Sequence, residues 1–178
     1  MRRMFRRDKR KEFSSGVPPI LQEANLAFDK GEYGRAAQLF ERIAEPADAR
    51  GGPRAALFHL QAGRARVLAG QVSLGMPSLK RGLELLAQRN HFQRLHHMGM
   101  RTVNELNDRG FKNEAAEIEE WLKSVMSAMP SFDPQINAKR PVLPTHCPSC
   151  GAPLRPDEVE WLDDATVECG YCGSPVRE

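Results

Sequence analysis

The chain has 178 residues, a formal net charge of +3 and 40% hydrophobic residues, which suits one medium-sized domain and a small second one. No apolar run reaches the roughly eighteen residues that a membrane-spanning helix needs, and no secretory leader pattern precedes the four cysteines, so a cytoplasmic protein with reduced thiols is expected. No nucleophile–base pair, phosphate-cradling glycine loop or paired carboxylate site stands out, so neither an enzyme nor a small-molecule substrate is expected.

Charge is unevenly placed. Residues 1–13 carry Arg2, Arg3, Arg6, Arg7, Lys9, Arg10 and Lys11 against Asp8 and Glu12, a net +5. Residues 1–16 therefore read as a basic flexible tail. It suits phosphate contacts to nucleic acid, or weak peripheral attachment to a membrane surface with Met1, Met4 and Phe5 on one side of a helix. Ser14 to Pro19 separate it from the first helix.

Residues 17–129 read as helices with an internal period. Gly31, Gly70 and Gly110 lie 39 and 40 residues apart, each followed five positions on by a small residue, Ala36, Gly75 or Ala115. Periods of this length indicate stacked helical hairpins. In the first, Ile20–Lys30 reads as a helix, Gly31-Glu32-Tyr33 turns the chain, and Ala36, Phe40 and Ile43 recur at helical spacing. In the second, Leu57, Leu60, Val67 and Leu68 mark one helix, with Gly63 as a close-approach position, and Leu79, Leu83 and Leu86 mark the next. Pro77 conflicts with a helix interior, so the second helix is expected to begin near it. In the third, Asn113 is the expected N-cap and Ala115, Ile118, Leu122, Val125 and Met129 form an apolar stripe. Trp121 reads as a packing or capping residue.

The first hairpin resembles a tetratricopeptide repeat. In that family a small residue at the position of Ala24 lets paired helices approach; Gly31, Glu32 and Tyr33 match the turn, and Ala36 and Phe40 the second helix. Glu23 departs from the pattern, since a large apolar residue is usual there. The resemblance implies a helical-hairpin solenoid of about three hairpins; an ordinary helical bundle is the alternative.

Residues 50–104 carry nine basic side chains against Glu84 alone, a net +8. Arg64, Arg66, Lys80, Arg81, Arg94 and Arg101 are the residues expected to present a positive surface to an acidic protein partner or peptide. Adjacent His96 and His97 are not expected to chelate a metal together.

Pro130, Pro134, Pro141 and Pro144 punctuate residues 130–146, which read as a linker. Residues 147–178 then hold all four cysteines, as Cys147-Pro-Ser-Cys150-Gly and Cys169-Gly-Tyr-Cys172-Gly. Two C-x-x-C pairs at this separation match a four-thiolate zinc site, and the glycine after each pair permits the positive φ of a metal knuckle. Val159–Leu162, an Asp163-Asp164 turn and Thr166–Cys169 read as strand, turn and strand. This segment resembles a zinc ribbon with rubredoxin-like knuckles, which implies one structural Zn2+ held by Cys147, Cys150, Cys169 and Cys172. Iron, disulfides and thiol redox chemistry are the alternatives for the same cysteines. Residues 141–178 carry a net −5. The tether lets this module either stand off or fold back onto the helices, and the opposite charges raise the hypothesis that it docks on the basic helices and masks their groove.

The expected fold is mainly α, a hairpin solenoid followed by a small β zinc ribbon. The expected function is that of a protein–protein interaction adaptor. A nucleic-acid-associated protein linked to transcription or translation is the alternative, with the basic tail as its contact.

Overall fold

Six helices and one small sheet make up the described part of the protein, residues 18–128, 143–155, 159–161 and 166–177 of a computed structural model. The helices are α1 (Pro19–Asp29), α2 (Tyr33–Ala49), α3 (Ala55–Leu68), α4 (Val72–Gln88), α5 (Phe92–Asp108) and α6 (Lys112–Ser127). Each packs against the helix before and after it in sequence, and α4 also touches α6. Among the described residues no helix is long and apolar enough to cross a membrane. The basic tail, including Arg2, Arg3, Arg6, Arg7, Lys9, Arg10 and Lys11, lies outside the described residues, as do most of the proline-rich linker and the Asp163-Asp164 turn.

One corner is used repeatedly. At Gly31, Gly51, Gly70, Asn90 and Gly110 the backbone takes a positive φ between 59° and 85°. At each of these the residue's N–H reaches back three positions and the following N–H reaches back five, as in Gly31 to Phe28 and Glu32 to Ala27. This double bond satisfies carbonyls that a helix end otherwise leaves without partners. At Gly31, Gly70, Asn90 and Gly110 the following residue is also the N-cap of the next helix, so the chain reverses in very few residues. Glycine suits the conformation because it lacks a Cβ, and asparagine is among the few other residues that adopt it readily. The expected turns at Gly31, Gly70 and Gly110 are therefore present, and two further corners halve the period to about one helix.

Small residues set how closely α3 and α4 approach. A Cβ on Gly63 would lie 2.8 Å from the Gly75 carbonyl oxygen, and one on Gly82 would lie 2.7 Å from that of Ala56. Side chains fill the surroundings: Leu60, Leu79 and Leu83 are buried between these helices. Nearly every position of α3 from Ala55 to Ala65 is buried, because α2, α4 and the carboxyl-terminal module enclose it.

Two expectations are corrected. Helix α4 begins at Val72, and Pro77 lies inside it. Pro77 and Ser73, whose carbonyl loses its helical donor, are both exposed, so water can satisfy the oxygen. The corner at Gly70 and the Gly63–Gly75 contact fix the start of the helix upstream. Asn113 is not an N-cap: the corner at Gly110 hands the chain to Phe111, which holds that position.

The sheet is antiparallel, in the order β1 (Glu160–Trp161), β2 (Thr166–Glu168), β3 (Pro175–Arg177). Trp161 pairs with Val167, and Val167 with Val176. The expected two-strand hairpin is present, with β3 added. Leu143 is buried, and Thr145 and His146 pair with Leu154 and Pro153. The carboxyl-terminal module thus includes at least four residues assigned above to the linker.

Candidate metal centre

The two C-x-x-C segments fold alike. In the first, the N–H of Gly151 donates to the Cys147 carbonyl at 2.9 Å, and the N–H of Cys147 to the Ala152 carbonyl at 2.8 Å. In the second, Gly173 donates to Cys169 at 2.8 Å, and Cys169 to Ser174 at 2.9 Å. Gly151 and Gly173 take φ of 71° and 75°. These are two equivalent knuckles, and each turns both of its thiols toward the other.

The four sulfurs all lie within 4.8 Å of one another. Cys147 and Cys172 are 3.7 Å apart, as are Cys150 and Cys169. A tetrahedron with metal–sulfur bonds of about 2.3 Å has edges of about 3.8 Å, so the cluster has the size of a four-thiolate zinc site. The N–H groups of Ser149 and Cys150 point at the Cys147 sulfur, that of Ala152 at Cys150, and those of Tyr171 and Cys172 at Cys169. Such hydrogen bonds favour thiolate and orient the ligands.

Buried thiols this close cannot all ionise on their own. The hydrogen bond to Cys169, with burial behind it, pushes the Cys150 thiol up. The same contact, helped by the backbone donors, pushes Cys169 down to about 5. Burial also raises Cys147. A divalent cation held by these four residues would resolve this conflict by stabilising four thiolates together, and four thiolates would fill a tetrahedral shell. His146 stands apart, with Nε2 3.6 Å from Asp29 and Nδ1 3.1 Å from the Thr145 hydroxyl.

The module is seated on the helices. Asn25 of α1, only 3% exposed, donates from Nδ2 to the Cys150 carbonyl at 2.8 Å. Gln22 reaches the Ser149 carbonyl at 3.3 Å. On α3, Gln61 donates to the Tyr171 hydroxyl, Leu57 lies against Gly170, and Arg54 pairs with Glu168 at 2.9 Å while its guanidinium lies against Gly173. Tyr171 also shares a small cleft with Met98 and Thr102 of α5. Leu143, Ala152, Leu154, Val167 and Val176 join one apolar core with the helices. Of the two arrangements left open by the sequence, docking on the helices is the one present. Among the described residues it rests mainly on hydrogen bonds and apolar burial, with Arg54–Glu168 as a direct ion pair between basic helix and acidic module.

Sequence reasoning missed Asn25 and Gln61. The signal was available: each is a polar residue set among apolar positions, Asn25 beside Leu21, Ala24 and Phe28, and Gln61 within Ala55–Ala62. A buried amide needs a partner, and here the knuckle supplies it.

The candidate partner-binding residues are placed differently from one another. Arg66 holds Glu41 through Nε and a terminal nitrogen, both at 2.7 Å. Arg81 holds Asp48 the same way at 2.7 and 3.0 Å. Arg64 pairs with Glu105 at 2.8 Å, and Lys80 with Glu117. Arg94 lies beside His91 and Arg54 in a cleft against Glu168, and Arg101 beside His96 and His97 on α5. Four of the nine cations of residues 50–104, Arg64, Arg66, Lys80 and Arg81, are thus met in space by acids from α2, α5 and α6. At the departure noted in the first hairpin, Glu23 pairs with Arg35 of α2 at 2.6 Å. No known protein family, curated protein or solved structure matches the chain.

Proposed function

We propose that this protein is an interaction adaptor in which a tetratricopeptide-like helical array carries a zinc ribbon as a structural second module. One Zn2+, bound by Cys147, Cys150, Cys169 and Cys172, holds the ribbon in the shape that fits α1, α3 and α5. The observation that carries this reading is the attachment of the knuckle itself, through the Cys150 carbonyl and Asn25, to the helices. A metal whose ligand loop is fastened to the scaffold stabilises the joint surface as well as the ribbon. The repeated corners support the solenoid, because identical corners at nearly equal spacing stack helices at nearly equal angles. The chain is read as cytoplasmic, where thiols remain available for metal.

Cross-linking capture with the zinc-loaded full chain tests the adaptor reading. A defined protein partner retained at moderate salt, and lost when metal is removed, is expected. Recovery of RNA or DNA alone, with a steep salt dependence, would instead favour the nucleic-acid reading and contradict this one.

A further inference from the structure

The ribbon lies on the face formed by α1, α3 and α5, and α4 and α6 present another face. Between α4 and α6 runs an open groove of about 400 Å3. Its floor is Ile118 and Trp121, and its walls are Lys80, Glu84, Glu117 and Glu120. Trp121 is half-buried and packs on the core beneath it. Among the described residues its indole N–H has no hydrogen-bond partner.

The walls are acidic in net terms. Lys80 is engaged with Glu117. Arg81 is shared: it gives its hydrogen bonds to Asp48 and forms a longer ion pair with Glu84 at 3.7 Å. Two cations, Lys80 and Arg81, thus face four carboxylates, Asp48, Glu84, Glu117 and Glu120, so among the described residues the groove keeps a net negative charge above an apolar floor. We propose that this groove binds a short basic peptide of a partner protein, with one large apolar or aromatic side chain seated on Trp121 and flanking lysines or arginines facing Glu84 and Glu120. An indole beside a partly desolvated pocket is the usual anchor of such contacts, and its N–H suits a peptide carbonyl. The flanking charges set orientation and association rate. This inference rests on the adaptor reading and reverses the partner charge that the sequence suggests.

The test is fluorescence anisotropy of the zinc-loaded full chain with a short labelled peptide in which lysines flank a central Leu-Phe pair. Saturable binding that weakens with salt is expected. The Glu84→Lys/Glu120→Lys double variant, whose side chains are partly or fully exposed, and Trp121→Ala should each weaken it at least about tenfold. Glu45→Lys, exposed on α2, should leave it unchanged. Three results would overturn the inference: equal binding of a control peptide in which glutamates replace the lysines, retention of affinity by the double variant, or no saturable binding. A rise in affinity on removing residues 1–16 would also overturn it, by giving the groove to the chain's own basic segment. A partner captured equally well by the double variant leaves the adaptor reading intact and refutes only the groove.

Discussion

Asn25 shows how one side chain ties two modules together. Its amide is nearly fully buried and its donor goes to the Cys150 carbonyl. Replacing it with alanine leaves that carbonyl without its donor and opens a small void, which costs about 1–3 kcal/mol. The Asn25→Ala variant should lower the unfolding free energy from urea titration by that amount, seen as a lower midpoint at unchanged slope; an unchanged midpoint means the contact contributes nothing. His59 makes a different prediction. Burial lowers its pKa, outweighing the opposing pull of Asp48 at 3.3 Å. The unfolded chain therefore takes up a proton that the folded chain resists, and stability falls as pH drops below about 6.5. Half-buried His96 contributes in the same direction. Asp48 acts lower: its hydrogen bond from Arg81 holds its carboxyl down, so its contribution is present above about pH 3.9 and is lost as pH falls through its folded value. Urea midpoints at pH 7.5 and 5.5 should differ less in His59→Gln than in the native chain. At this scale the cysteines were legible because ligand chemistry fixes both residue type and spacing. Asn25 and Gln61 were not, since their partners, the Cys150 carbonyl and the Tyr171 hydroxyl, lie over a hundred positions away.

The helices are defined as much by their ends as by their apolar stripes. Gly31, Gly70 and Gly110 were readable as corners because glycine marks positive φ; Asn90 performs the same turn but is less conspicuous in sequence, so the full period stayed hidden. Pro77 misled for a related reason. A proline forbids one hydrogen bond, not a helix, and the exposed Ser73 carbonyl tolerates the loss. Gly63 and Gly34 separate two uses of glycine inside helices. A methyl on Gly63 would meet backbone and Leu79 below 3 Å, whereas one on Gly34 meets nothing within 4 Å. Gly63→Ala should destabilise by about 1–3 kcal/mol and Gly34→Ala should stabilise by about 0.4–1 kcal/mol, both read by thermal unfolding. Equal effects would refute the close packing of α3 on α4. The charge pattern was legible as a sum but not in space: Glu41, Asp48, Glu105 and Glu117 stand outside the basic stretch in sequence and beside its side chains in the fold.

For the whole molecule, sequence separated a helical domain from a small metal module, and the structure joins them in one core. Charge composition raised docking as a hypothesis but not its basis, because apolar burial and single hydrogen bonds carry it. If zinc shapes the knuckles that fit α1 and α3, chelation should raise amide exchange in the ribbon and also around Asn25 and Leu57, while α6 stays protected. Exchange confined to the ribbon would mean the two modules are energetically separate. The claim on which this depends is that four thiolates share one ion. Native mass spectrometry of the purified full chain measures it directly: one zinc per chain is expected, absent from Cys169→Ser. A native chain carrying no metal, carrying iron, or closed by two disulfides would contradict the account.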